Sequence, residues 1–192
     1  PITVYSIQPT TVSVSPSSVT ASISQNFNIN VTISSVSDLY GWEFKLSWNA
    51  SLLESVNVIE GSFLKAGGST FFTYKTNATG GYMVVDCTLL GSVLGVGGGG
   101  VLATITFYVN ATGESLFDLY EVTLLNSLEQ PIPCEVVDGY GHFIYSHDVA
   151  VTSVIASPIT VFPGDIVNIN VTVQNQGGFI EDFNITTCYN SK

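Results

Sequence analysis

The sequence predicts an all-β protein: a nine-stranded sandwich or jelly roll followed by a second, shorter β unit. Three observations predict it. Runs rich in Val, Ile, Thr, Phe and Tyr recur along the 192 residues, punctuated by Gly, Pro, Asn or Ser. In the clearest runs apolar and polar residues alternate, the period of a strand with one buried face. No stretch carries a helical period; the best candidate for a helical turn is short, around Ser62–Lys65.

The first strand falls at 11–14 and the second at 26–35. In "NFNINVTI" the apolar set Phe27, Ile29, Val31 and Ile33 shares one face, which turns Asn28, Asn30 and Thr32 to the other. The third strand, 40–48, reads "YGWEFKLSW" and puts Tyr40, Trp42, Phe44, Leu46 and Trp48 on one side and Glu43 and Lys45 on the other. An aromatic row of this kind is either a sugar-stacking platform or core. Aromatics mixed with Leu on one parity are expected in the core, with Glu43 and Lys45 simply exposed.

Further strands follow at 53–59, 69–76, 81–89, 100–109, 115–125 and 135–145. The glycine run Gly95–Gly100 lacks both the Gly-Lys-Ser/Thr ending and the following helix of a phosphate loop, so it is expected to be a flexible connector. A composition break at "YSHDVAVTSV" opens the second unit, with strands at 148–156, 165–174 and 183–189. There "SPITVFPGDIVNINVTV" echoes "SPSSVTASISQNFNINVTI" of the first unit, and Val167, Ile169, Val171 and Val173 are expected to face in with Asn168, Asn170 and Thr172 out. The expected division is an N-terminal extension 1–10, a sandwich 11–146 and a partial immunoglobulin-like sandwich 147–192, shorter than the ~100 residues such a domain needs.

Composition narrows function. Four lysines, no arginine and fifteen acidic residues give a net charge of -11, which excludes nucleic acid as a partner because phosphate binding needs clustered cations. No apolar run reaches the ~20 residues of a transmembrane helix, and no basic-plus-apolar leader opens the chain. With only 10% charged residues, solubility rests on Ser, Thr and Asn, or on sugars attached to them. Six Asn-X-Ser/Thr tripeptides begin at Asn30, Asn49, Asn77, Asn110, Asn170 and Asn184, and N-linked glycans on several of them are expected.

Catalytic chemistry is not expected. The two histidines, His142 and His147, have no Gly-X-Ser-X-Gly nucleophile nearby, and their spacing in a strand puts them on opposite faces, which argues against zinc. No Asp-X-Asp-X-Asp-Gly loop names a calcium ligand, so calcium stays open without candidate residues. Of the three cysteines, Cys87 and Cys134 form the natural disulfide pair, worth about 3 to 4 kcal/mol on a chain-entropy model, with free buried thiols as the alternative. Cys188 is then either free or bonded to another chain.

The segments "LYGWEFKLSWNASLLESVNVIEGSFL", "GYMVVDCTLLG", "GVLATITFYV" and "DGYG" resemble, in order and spacing, the cohesin-like domains of archaeal surface proteins, over roughly residues 11–145. From His147 onward the chain resembles the first half of a CARDB domain, a cell-adhesion-related immunoglobulin-like fold. The first resemblance implies a cohesin-like jelly roll without catalytic activity. Cohesins of cellulose-degrading complexes bind calcium-loaded dockerins through one sheet face, whereas fold alone does not carry that partner over.

The expected function is an extracellular structural glycoprotein of an archaeal cell surface, a filament or surface-layer subunit assembled by β-strand exchange with copies of itself or other surface proteins. The alternative is a cohesin-type or carbohydrate-binding module recognising a dockerin or a glycan. The short second unit is expected either as a piece of a longer surface protein or as an acceptor for a donated strand. In the latter case "ITVYSI" within residues 1–10 is the candidate donor.

Overall fold

Period-two alternation dictates that each strand buries one side, and two sheets meet over those sides. The computed structural model describes residues 9–186. Its strands are β1 (Thr11–Ser15), β2 (Ser18–Ser22), β3 (Asn26–Leu39), β4 (Gly41–Ser47), β5 (Leu53–Glu60), β6 (Thr70–Asn77), β7 (Tyr82–Leu89), β8 (Val96–Val109), β9 (Gly113–Leu125), β10 (Glu135–Val137), β11 (Gly139–Ile144), β12 (Val149–Ser157) and β13 (Asn168–Asn175). One short 3-10 helix, Leu64–Gly67, stands where the helical turn is expected. The chain divides into two compact units, the first ending at Phe143 and the second starting at Ile144.

The first unit is a jelly-roll sandwich of a five-stranded sheet, β10-β1-β3-β8-β5, and a six-stranded sheet, β2-β11-β9-β4-β7-β6. β1–β3, β3–β8, β5–β8, β11–β9, β4–β9, β4–β7 and β6–β7 pair antiparallel, whereas β1 and β10 pair parallel with Val12 opposite Val136. Ile29, Val31, Ile105 and Phe107 of one sheet and Phe44, Leu46, Met83 and Phe117 of the other are all buried. At the centre Phe107 stacks on Phe27 at 5.7 Å and meets the edge of Trp48 at 5.2 Å and the ring of Phe117 at 5.4 Å. The row Trp42, Phe44, Leu46 and Trp48 is core, so it is no sugar platform; Tyr40, half-buried, uses its hydroxyl to bond the Gly91 carbonyl at 2.5 Å.

Three expectations about strands are corrected. Among the described residues the first unit has eleven strands rather than nine. Ser18–Ser22 forms β2, whose short sequence carries too little alternation to be read, and 135–145 splits into β10 and β11, which join different sheets. The glycine run is not a connector: most of it opens β8, with Val96 opposite Leu39, Gly98 opposite Val36 and Gly100 opposite Ile33. Glycine is needed there because a Cβ on Gly100 would lie 2.9 Å from the Phe63 ring, and one on Gly95 only 2.3 Å from Asp38 Oδ1.

In the second unit β12 and β13 pair antiparallel. The sequence echo carries into structure. Ser13 and Val14 lie opposite Thr32 and Val31, and Ser153 and Val154 lie opposite Thr172 and Val171 in the same way. Ser15–Pro16 and Ser157–Pro158, which end the two leading strands, are both cis. The expected burial holds only in part, because two strands cannot cover their own apolar face. Val171 and Val173 are half-buried while Val167 and Ile169 are exposed. Residues 183–186 are not strand; the rest of the expected strand 183–189, like the expected donor segment up to residue 8, lies outside the described residues.

Candidate functional site

The register of the six-stranded sheet decides what its outer face presents. β4 sits between β9 and β7, and β6 closes the edge. Because Trp42, Phe44 and Leu46 point inward, their neighbours line up outward in four transverse rows. These are Leu125, Gly41, Thr88 and Phe71; then Thr123, Glu43, Asp86 and Thr73; then Tyr120, Lys45, Val84 and Lys75; then Asp118, Ser47, Tyr82 and Asn77. An acidic row therefore lies beside a basic one.

A β-bulge in β9 shapes the centre of this face. The register slips between Glu43 and Lys45, so that β9 holds an extra residue there, and Glu121 adopts a left-handed φ of 47°. Few non-glycine residues adopt that conformation, and it costs on the order of 1 kcal/mol or more. Its carboxylate ion-pairs with Lys45, whose ammonium also lies 5.9 Å from the Tyr120 ring centroid. The Glu121 hydrogen bond pushes the Lys45 ammonium above its ordinary range. Lys45 is thus half-buried and paired, not simply exposed as its parity implies.

Two concavities open on the face. One of about 250 Å³ is lined by Glu43, Asp86, Thr88, Thr123 and Leu125, with burial holding the Asp86 carboxyl above the usual range. The other, about 530 Å³, is lined by Lys45, Lys75, Asn77, Tyr82 and Val84. Phe71 is 56% exposed, so the face also offers apolar surface.

The outer face of the five-stranded sheet differs. Asn28 and Asn30 accept hydrogen bonds from Thr106 and Thr104 at 2.8 and 2.7 Å, and Ser13 and Thr32 share one at 3.0 Å. Its central polar side chains are satisfied by one another.

The six sequons spread over both units. Asn30 is half-buried on β3; Asn49, Asn77, Asn110, Asn170 and Asn184 are exposed. Asn49 accepts hydrogen bonds from the amide and hydroxyl of its own sequon residue Ser51, at 3.1 and 2.6 Å. The expected Cys87–Cys134 disulfide is not formed; both are free thiols. Cys87 points from β7 into the core of the six-stranded sheet and donates to Glu60 at 3.4 Å, whereas Cys134 precedes β10 at the edge of the other sheet. Burial above all, with Glu60 beside it, pushes the Cys87 thiol up to about 12, and burial raises Cys134 as well. Cys188 lies outside the described residues. His142 lies 3.6 Å from Glu114, and His147 bonds Glu181. Among the described residues no three His, Cys, Asp or Glu side chains come together as metal ligands.

The first unit is a jelly-roll β-sandwich whose six-stranded sheet carries the bulge and both concavities on its outer face. The chain belongs to the cohesin family: residues 12–139 match the Cohesin domain. Among solved structures it is similar to a non-cellulosomal cohesin from the hyperthermophilic archaeon Archaeoglobus fulgidus, at 18% identity over 71% of this chain and 92% of that one, with a TM-score of 0.61. The sixth cohesin of scaffoldin B from Acetivibrio cellulolyticus, solved in complex with a dockerin, matches at 18% identity over 71% and 99%, with a TM-score of 0.60. The OlpA cohesin of Clostridium thermocellum, also solved with a dockerin, matches at 14% over 71% and 100%, with a TM-score of 0.61. At these identities the likeness shows the fold. A search of curated proteins returned no match.

Proposed function

We propose that the first unit is a non-catalytic recognition module of the extracellular cell surface, and that it docks a dockerin-type protein on the outer face of β9, β4, β7 and β6. One observation carries the choice of face. It holds the bulge, both concavities and opposed charge rows, while the central side chains of the other face bond to each other. The dockerin complexes of similar structures support the partner class. Binding to a panel of calcium-loaded dockerins, measured by calorimetry, tests it. Tyr82→Ala should weaken the best binder at least tenfold with an unchanged Tm, as expected of an aromatic anchor. Unchanged binding in Tyr82→Ala, combined with loss in Thr104→Lys, would place the site on the wrong sheet.

The second reading, a structural subunit assembled by strand exchange, is favoured by one feature of the second unit. The edge of β13 away from β12 has no partner strand among the described residues, and Val154, Ile155 and Ile169 are all more than half exposed. On this reading residues 1–10 of a neighbouring copy add to that edge, and the unit is the start of a CARDB-type sandwich. Electron microscopy of purified protein should then show ordered fibres that vanish when residues 1–10 are deleted; monodisperse particles in both preparations would sink it.

N-linked glycans are part of the proposal, at Asn30, Asn49, Asn77, Asn110, Asn170 and Asn184. Asn77 lines the basic concavity, so a glycan there would stand over the docking face. Intact-mass and peptide mapping of native material should find several sites occupied and Asn77 bare in the fraction that binds a partner.

A further inference from the structure

Of the chain's four lysines, three lie among the described residues, and two of these line one cavity. Lys65 is elsewhere, paired with Glu60 at 3.1 Å. Lys45 and Lys75 flank Val84 in a single row across β4, β7 and β6, with Tyr82 and Asn77 in the row beside it. For a protein of net charge -11, this concentrates positive charge in one concavity of about 530 Å³. Exposed charges more than about 8 Å away are largely screened at physiological ionic strength, so a docked group responds to these two ammonium groups and to the carboxylates beside them, Glu121, Glu43 and Asp86.

The protein itself shows what such a place accepts. Glu121, held in its left-handed conformation by the bulge, already lays a carboxylate on Lys45. Lys75 forms no ion pair with any described residue. One cation is therefore provisionally occupied by an internal carboxylate and its neighbour is open.

We propose that the cavity between Lys45 and Lys75 is a carboxylate-recognition subsite, which takes an Asp or Glu side chain of the partner protein. Resting on the recognition reading above, it adds the chemistry of the contact. The incoming carboxylate bridges the two ammonium groups, competing with Glu121 for Lys45. Val84 and Tyr82 supply the apolar floor and side for its methylene stem. The acidic row of Glu43 and Asp86, two residues along the strands or about 7 Å away, repels the same group and so fixes which way round the partner sits.

The test uses the full chain and a defined probe. Amide chemical shifts are followed by NMR while acetyl-Gly-Asp-Gly-amide is added, with the Asn peptide as neutral control. The Asp peptide should perturb Lys45, Lys75, Tyr82 and Val84 and leave Lys65 unmoved. K75Q should weaken the response about two- to fivefold and K45Q/K75Q about tenfold or more, as expected when one or two partly exposed ion pairs are lost. E121Q should strengthen it by releasing Lys45. Equal response to both peptides, equal perturbation at Lys65, or an unchanged response in K45Q/K75Q overturns the subsite. If the peptide shifts appear as expected but no dockerin binds, the subsite stands and the dockerin reading falls.

Discussion

Replacing Gly95 by alanine separates two descriptions of the glycine run. If 95–100 were a mobile connector, Gly→Ala would restrict the unfolded chain and stabilise by about 0.4–1 kcal/mol. The structure gives the opposite sign. A Cβ at Gly95 would lie 2.3 Å from Asp38 Oδ1, 2.7 Å from the Asp38 carbonyl carbon and 2.9 Å from that of Leu39. Ordinary carbon contacts sit near 3.5–4 Å, so the start of β8 must withdraw from β3 by roughly 1 Å. Withdrawal strains the 2.8 Å bond from the Gly95 amide to Asp38, whose other oxygen holds Ser127 at 2.7 Å. Overpacking of this kind costs about 1–3 kcal/mol, and a weakened charge-assisted hydrogen bond adds to it, so a loss of about 2–4 kcal/mol is expected. With a urea slope of ~2 kcal/mol/M, the unfolding midpoint should fall by about 1–2 M. Both tryptophans, Trp42 and Trp48, are buried in the first unit, so their fluorescence reports on that unit. The exposed Ser92→Ala in the preceding loop should stay within ~0.5 kcal/mol. A midpoint that is unchanged or raised in Gly95→Ala would refute the close approach of β3 and β8.

Phe107→Ala should cost about 3–5 kcal/mol, because the ring is fully buried against three other aromatics; a loss below 1 kcal/mol in the same urea assay would show that the cluster is not close-packed. Both thiols should be absent from any disulfide in a non-reducing peptide map, and Cys87 should react with Ellman's reagent only on unfolding; a linked Cys87–Cys134 peptide would contradict the structure. The Cys87 thiol is raised in the folded state from an ordinary 9.0 to about 12, so its contribution is complete below pH ~9 and is lost as pH rises towards 12. Cys87→Ala should flatten that alkaline fall in the urea midpoint. Asp38 is shifted the other way, held below the ordinary carboxylate range chiefly by the Ser127 hydroxyl. Its contribution is complete above the unfolded value and is lost as pH falls through the lower folded one, so Asp38→Asn should flatten the acid limb of stability, below the ordinary carboxylate range.

Much of this fold was legible because alternation is a local code. "NFNINVTI" and "YGWEFKLSW" determine that Ile29, Val31, Phe44 and Leu46 turn one way and Asn28, Asn30 and Glu43 the other, and the structure buries the first set. The sequence also determined the all-β class, the scarcity and sign of charge, the sequons, and the echo between 15–33 and 157–173, whose Val31 and Val171 then pair alike with Val14 and Val154 of the strands that lead into it. None of these needs a contact distant in sequence.

What only the tertiary structure decided depends on register between distant strands. Lys45 and Glu121 are separated by 76 positions, and Asp38 and Ser127 by 89, and no local pattern announces either pair. The bulge that turns Glu121 onto the outer face reads in sequence as an ordinary strand, because one extra residue changes pairing without changing composition. The glycine run looked loose for a similar reason. Glycine marks equally a free linker and a place where two backbones come too close for a side chain, and only the position of Asp38 and Phe63 tells them apart. The cysteines repeat the lesson: compatible spacing in one unit proposes a bond, but the placement of Cys87 inside one sheet and Cys134 at the edge of the other leaves both thiols free.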